Sequence, residues 1–204
     1  MKILLQIAAL GLVLTANAQG TSEAVLNFSG SVPASLSDTV GWTFQPVNSM
    51  SVTGLGAFNY IFAGQSSVQV GLWDANGTLL RSNTITASSA QTNLSRYESI
   101  TPVLLVPGQV YHLGVYAPLT GTIQLQVVAP DFGTVNLSPD IQLRGSAQSG
   151  LGTGFAFPAE TPPPPPDGII YLGPNFRYNF VPEPSAFALL GLGVLAATCF
   201  RRKR

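Results

Sequence analysis

The 204-residue chain is short of charge, of cysteine and of histidine, and its interior has no lysine at all. Charged residues make up 9% of it, against about 25% in ordinary soluble chains. Between Gln19 and Val181 there are eight acids and four arginines, a balance of −4. A mildly acidic body without clustered cations cannot neutralise a phosphate backbone, so nucleic acid is excluded as a partner. The one cysteine, Cys199, lies in an apolar stretch near the C-terminus. Disulfides, thiol chemistry and cysteine-based metal sites are thereby excluded from the body. The sequence between 20 and 180 also lacks any ten-residue stretch of helical periodicity, which leaves an all-β body.

The basic residues that exist are concentrated at the ends: Lys2 and then Arg201, Arg202, Lys203 and Arg204. Met1-Lys2 precedes the apolar run Ile3 to Leu14, interrupted only by Gln6, and Thr15-Ala16-Asn17-Ala18-Gln19 follows. A positive start, an apolar run too short to span a bilayer and small residues at alternate positions are the three parts of a secretory signal peptide. Ala16 and Ala18 fit the two small-residue positions of signal peptidase, and cleavage is expected after Ala18. A first core helix and a retained membrane anchor are the alternatives, both disfavoured by the short run and the cleavage site.

At the other end Val181-Pro182-Glu183-Pro184-Ser185 leads into a run that reaches Phe200. The sixteen residues from Ser185 to Phe200 make a helix about 24 Å long, at the short end of what spans a bilayer. Its strongly apolar side chains contribute roughly −3 kcal/mol toward insertion, partly offset by Thr198 and the glycines. Insertion is marginally favourable. Arg201, Arg202, Lys203 and Arg204 then stay on the cytoplasmic side and place the body outside. Gly191-Leu192-Gly193-Val194-Leu195-Ala196 has dinucleotide-binding spacing, but no strand precedes it.

The proline-flanked Glu183, the short Gly/Leu/Ala-rich segment and the arginine-rich end together resemble the PEP-CTERM sorting signal of Gram-negative bacteria. The resemblance implies a membrane-embedded exosortase that recognises Pro182, Glu183 and Pro184 and removes the anchor, and it implies an association with exopolysaccharide and biofilm. Each proline fixes φ near −65° and disfavours helix at the residue before it. Glu183 is therefore expected in extended chain just outside the bilayer, the form a protease cleft takes up.

The body alternates short period-two runs with Gly, Pro, Asn and Ser. Strands are expected at Val25–Phe28, Val40–Phe44, Ser51–Phe58, Val68–Trp73, Thr78–Thr84, Tyr97–Ile100, Val103–Val106, Val110–Tyr116, Thr122–Val128, Ile169–Leu172 and Phe176–Phe180. Asn76-Gly77 and Pro107-Gly108 supply turns. This pattern predicts a two-sheet β-sandwich, with a jelly-roll among the topologies it admits. Val40-Gly41-Trp42-Thr43-Phe44, Gly71-Leu72-Trp73-Asp74, Pro107-Gly108-Gln109-Val110-Tyr111 and Leu172-Gly173-Pro174-Asn175-Phe176 resemble a secreted β-sandwich domain of unknown function that recurs in PEP-CTERM proteins. The expected organisation is a signal peptide at 1–18, an N-terminal strand or lead-in at 19–37, the sandwich at 38–180 and the sorting signal at 181–204. Within the last, the motif is 181–185, the transmembrane helix 185–200 and the basic tail 201–204. The five prolines between Thr161 and Asp167 are expected to form a loop inside the domain, and Gly145 to Gly154 a mobile surface loop.

Chemistry is sparsely signalled. His112, the only histidine, shares strand parity with Val110 and reads first as a packed strand residue and only then as a base or metal ligand. No nucleophile elbow accompanies it. Asp74 and Glu98 are the candidate carboxylates for glycoside hydrolysis, which needs a facing pair. Asp74 to Gly77 lacks the distal Glu of a calcium loop. The two tryptophans and six tyrosines read as core first and as a sugar-stacking platform second. No catalytic residue, cofactor site or metal site is assigned. The expected product is an exported protein, briefly anchored in the inner membrane and finally at the cell surface or outside it. Its expected role is structural or adhesive with exopolysaccharide as a candidate ligand, and the alternative is an extracellular hydrolase acting on matrix polysaccharide. Signal peptidase and exosortase are the expected processing partners.

Overall fold

The computed structural model describes residues 20–28, 38–63, 65–117, 127–128, 135–150, 152–160 and 170–181. In chain order the strands are β1 (Ser22–Glu23), β2 (Val25–Phe28), β3 (Val40–Pro46), β4 (Met50–Phe58), β5 (Ser67–Asp74), β6 (Leu79–Thr86), β7 (Ala90–Thr92) and β8 (Ser95–Leu105). They continue as β9 (Tyr111–Tyr116), β10 (Val127–Val128), β11 (Val135–Leu137), β12 (Ile141–Gln148), β13 (Ala159–Glu160), β14 (Ile170–Tyr171) and β15 (Pro174–Phe180). One 3₁₀ turn, Asn59–Ala63, is the only helical element among the described residues. A five-stranded sheet in the order β1-β15-β4-β8-β7 faces a six-stranded sheet in the order β13-β12-β3-β9-β5-β6. Their paired strands are antiparallel throughout, and the body is a β-sandwich.

Alternation produces this arrangement directly. Val68, Val70 and Leu72 on β5 are buried on one face, as period two demands. Trp42 of the six-stranded sheet stacks on Phe176 of the five-stranded one, centroids 6.1 Å apart and planes 18° from parallel. The indole Nε1–H of Trp42 donates to the Pro174 carbonyl at 3.0 Å, so the largest core side chain buries its apolar area without stranding its donor. Phe44, Leu55, Leu113 and Tyr178 close the core around this pair.

The turns fall where Gly demands them. Gly77 has φ +82°, and the Asp74 carboxylate accepts from the N–H groups of Asn76 and Thr78, both at 2.9 Å. Gly108 has φ +77° and its N–H donates to the Pro46 carbonyl at 3.1 Å.

Two expected strands, 97–100 and 103–106, are one strand, β8. Val52 pairs with Val103 but Gly54 pairs with Ser99, so β8 carries extra residues opposite Thr53. Pro102 sits in that bulge, where its missing N–H costs no ladder bond. A second difference is β12, which was expected to be loop from Gly145 onward. Gly145 to Gln148 instead pair with Thr43 to Val40. The register shifts between Leu143 and Gly145, so the apolar alternation begun by Ile141 and Leu143 changes parity halfway and no period-two run survives in the sequence. β1, β7, β11 and β13 are short pieces with no run to read. Of the expected strand at 122–128 only β10 lies within the described residues, and the proline tract 161–167 lies outside them.

Candidate functional site

β15 is the element that carries the chain toward its C-terminal signal. Phe176, Tyr178 and Phe180 point to the core, while Asn175 and Arg177 take the opposite face. Asn175 is fully buried, and its amide takes the place of a strand partner for Val25: Oδ1 accepts the Val25 N–H at 3.0 Å and Nδ2 donates to the Val25 carbonyl at 3.0 Å. Nδ2 also lies 2.8 Å from the Tyr97 hydroxyl. The Tyr178 hydroxyl donates to Asp140 Oδ2 at 3.1 Å and pairs with Ser138 Oγ. Burial, reinforced by the Asp140 charge and opposed by the Ser138 bond, pushes the Tyr178 phenol up to about 12. The ladder runs to the last described residue, where the Val181 N–H donates to the Ser49 carbonyl at 3.1 Å. Pro182 has no N–H to donate, so the pairing has a chemical stop at the first residue of the Pro-Glu-Pro triplet.

On the outer face of the same sheet lies a polar cluster. The Arg177 guanidinium is 4.0 Å from the centroid of the Tyr97 ring and 3.7 Å from Glu23. Asn93 Nδ2 donates to the second Glu23 oxygen at 3.3 Å. Burial first and the Glu23 charge second push the Tyr97 phenol well above the ordinary tyrosine value, with Arg177 opposing. Tyr97 lies flat on Gly56, where a Cβ would come 2.4 Å from a ring carbon. The adjoining pocket of about 310 Å³ is lined by Thr53, Tyr97, Glu98, Ser99 and Arg177 among others. Arg177 already spends its charge on Glu23 and its flat face on Tyr97, so the cluster ties β1 to the sheet.

The outer face of the six-stranded sheet is covered by the chain itself. Gly41, Gly114 and Gly71 stand in one row across β3, β9 and β5. Trp73, Phe155 and Pro158 fill the space that the missing side chains of Gly71 and Gly114 leave, while a Cβ at Gly41 would meet the Leu113 carbonyl of β9; the Trp73 and Phe155 rings are 5.2 Å apart. Two residues along β9 from Gly114, His112 is buried beside Phe157, centroids 4.7 Å apart, and its Nδ1–H donates to the Pro158 carbonyl at 2.8 Å. The segment is held at its start by Asp38, whose carboxylate accepts the Gly152 N–H at 2.7 Å.

These positions decide several readings. His112 and Asp74 belong to the six-stranded sheet and Glu98 to the five-stranded one. His112 clamps the covering segment, Asp74 caps its own hairpin, and Glu98 accepts from Ser89 Oγ. Trp42, Trp73, Tyr97, Tyr111 and Tyr178 are buried, and Tyr60 is the one exposed aromatic among the described residues, so no described aromatic row is offered to a sugar. No group of three or more described His, Cys, Asp or Glu residues could hold a metal ion. Ala16, Ala18, Pro182, Glu183, Pro184, Arg201, Arg202, Lys203 and Arg204 lie outside the described residues. Asn175, Arg177, Glu23 and the glycine row went unread. Three glycines at strand centres, where glycine is ordinarily avoided, were the one available signal.

Residues 180–204 match the family model of the PEP-CTERM protein-sorting motif. The chain carries a PEP-CTERM sorting signal. That signal makes it an exported substrate of exosortase with a cell-surface or extracellular fate. No curated protein matches the sequence. The matched PEP-CTERM segment begins at Phe180, the last residue of β15, so fold and signal meet without a linker. No described helix is long and apolar enough to cross a membrane, and the apolar run 186–200 lies outside the described residues.

Proposed function

We propose that the protein is a structural or adhesive component of the extracellular matrix. Signal peptidase removes residues 1–18, the helix at 185–200 holds the precursor in the inner membrane, and exosortase cuts at Pro182-Glu183-Pro184 to release the sandwich. The observation that carries this reading is the sorting-motif match starting on the last residue of the C-terminal strand. Cleavage just beyond Val181 would leave every described strand intact.

The matrix role is supported by the surface. β7 is exposed along its whole length, and the exposed residues of β6 and β8 include Arg81, Ser82, Ser99 and Thr101. Hydroxyls and amides at low charge density suit hydrogen bonding to a polysaccharide. A structural role is preferred to hydrolysis because Asp74, Glu98 and His112 each have a partner within the fold.

Mass spectrometry of the mature C-terminus in the native host tests the sorting step. A terminus within or just after Val181–Ser185 is expected, and an intact Arg204 on most of the surface protein would refute it. A pull-down of the processed protein with exopolysaccharide from the same cells tests the ligand, and failure to bind sinks that part alone.

A further inference from the structure

The strand register brings the two described chain ends, Gly20 and Val181, to one end of the sandwich. Ser22 pairs with Tyr178 and Glu23 with Arg177. Continued backward, this register sets Gly20 level with Phe180, and Ala18 lies only two residues before Gly20. Val181 leaves the sheet at the same level, bonded to Ser49.

This end is also where exposed apolar side chains collect. Val47, Leu79, Leu104, Val106 and Val181 are all exposed there, Leu104 by 59% and Val47 by 52%. Phe180, Met50 and Leu105 stand in one row across β15, β4 and β8, which places Val181 and Val106 just beyond it on either side of Ser49. Leu104 sits one residue back. The bond from the Gly108 N–H to Pro46 brings the loop after Val106 beside Val47. Arg81 Nε–H donates to the Thr101 carbonyl at 3.3 Å and Asn83 Nδ2 to that of Ser99 at 3.1 Å, a register that sets Leu79 level with Val103. The other exposed large apolar residues described are Leu26, on a strand running away from this end, and Tyr60, beyond the far end of β4. Asp140, whose carbonyl accepts the Val47 N–H, has its carboxylate bonded by Asn48, Ser138 and Tyr178, and Asp74 at the same end is taken up by its own hairpin.

The chain beyond Val181 names the occupant. Only Pro182 to Ser185 separate it from the apolar run, and five extended peptide steps reach at most about 17 Å. We propose that the anchored precursor is seated end-on against the bilayer surface, with Val47, Leu79, Leu104, Val106 and Val181 in contact with lipid. Monomeric proteins seldom leave such a patch uncovered, and here the tether holds it at the membrane until release. The seat rests on the anchoring reading given above. It orients the scissile segment along the membrane surface, where a membrane-embedded enzyme reaches it.

The test uses the full chain with Cys199→Ala and single cysteines introduced as Val47→Cys, Leu104→Cys, Val106→Cys and, as a control, Tyr60→Cys. Each is labelled with an environment-sensitive fluorophore and reconstituted into phosphatidylethanolamine–phosphatidylglycerol vesicles carrying a headgroup-proximal nitroxide lipid. The labels at 47, 104 and 106 are expected to lose more than half of their emission and the label at 60 almost none. A Leu104→Ser/Val106→Ser pair should restore most of the emission of a label at 47 while the chain stays resistant to alkaline extraction. Equal quenching at all four positions in membrane-held chain overturns the seat alone. Protection of the three labels without quenching, accompanied by chain-to-chain cross-links, assigns the patch to a second copy and also overturns it. Extraction of the precursor by alkali overturns the anchoring reading and the seat together.

Discussion

Asn175→Ala isolates the buried amide that joins the N-terminal segment to the C-terminal strand. Its amide satisfies both the N–H and the carbonyl of Val25, each at 3.0 Å, inside a region where Asn175 itself has no exposure. Truncation strands two buried backbone groups at about 1–3 kcal/mol each. The Tyr97 hydroxyl loses a partner at 2.8 Å as well. Partial entry of water into the small cavity offsets some of this, and a net loss of about 3–5 kcal/mol is expected, a large fraction of the 5–15 kcal/mol typical of a domain. Urea unfolding of the chain ending at Val181 measures it, and hydrogen exchange at the Val25 amide shows whether β1 and β2 detach before the sheets separate. Asn175→Asp keeps the acceptor but sets a carboxylate against the Val25 carbonyl, so its stability should recover as pH falls and the acid regains a donor. A loss under about 1 kcal/mol for Asn175→Ala, with unchanged exchange at Val25, would refute the idea that this amide stands in for a strand.

The glycine row gives a graded pair. Gly41→Ala puts a Cβ 1.8 Å from the Leu113 carbonyl and should give no folded product. Gly71→Ala meets the Trp73 and Phe155 rings at 2.3 and 2.7 Å and should cost about 1–3 kcal/mol, with faster proteolysis within 152–160; wild-type melting of both would overturn the packing account. Tyr178 predicts alkaline lability. Its phenol is held near 12 in the fold and falls to about 10 when unfolded. Below pH 10 both states keep the proton and stability is unaffected. Between pH 10 and 12 only the unfolded state releases it, so stability drops by about 2–3 kcal/mol, less so in Tyr178→Phe; a flat urea midpoint from pH 9 to 11.5 in the parent chain contradicts this. In the native host Glu183→Gln removes the charge and leaves both prolines and the apolar run, and a precursor retaining Arg204 should accumulate, as seen by mass spectrometry.

The parts of this protein that were legible in its sequence are those whose signal is local. Val68, Val70 and Leu72 alternate ahead of the one register shift of β5, which falls after Leu72, and Asn76-Gly77 carries the positive φ that its hairpin needs, so both could be read in place. β12 could not, because a register shift after Leu143 moves its inward positions from odd to even. β8 looked like two strands because Pro102 interrupts the pattern while the bulge keeps the chain in the sheet. The pairing of Asn175 with Val25 spans 150 residues, and a polar side chain doing a backbone's work leaves no periodic trace. The covered outer face was illegible for the complementary reason: Gly41, Gly71 and Gly114 act by lacking side chains, and their alignment exists only once three strands are in register. The sorting motif was legible because its residues form one contiguous stretch of sequence, 180–204, that no strand pairing has to assemble.

That contrast explains how a fold and a sorting signal can share one strand. β15 contributes Phe176 and Tyr178 to the core and hands the chain over at Val181, with Pro182 as the chemical stop. The strand is clamped on both edges, by β4 along its whole length and by β1 through Arg177 and Glu23. Detaching it to feed an enzyme would break those ladders and expose Phe176 and Tyr178, a cost comparable to the whole stability of a domain. On the proposed processing, exosortase works on the residues beyond Val181 while the sandwich stays folded. In the proposed anchored precursor the four residues Pro182 to Ser185 are all that separates the fold from the apolar run, and their shortness keeps the body close to the membrane until release.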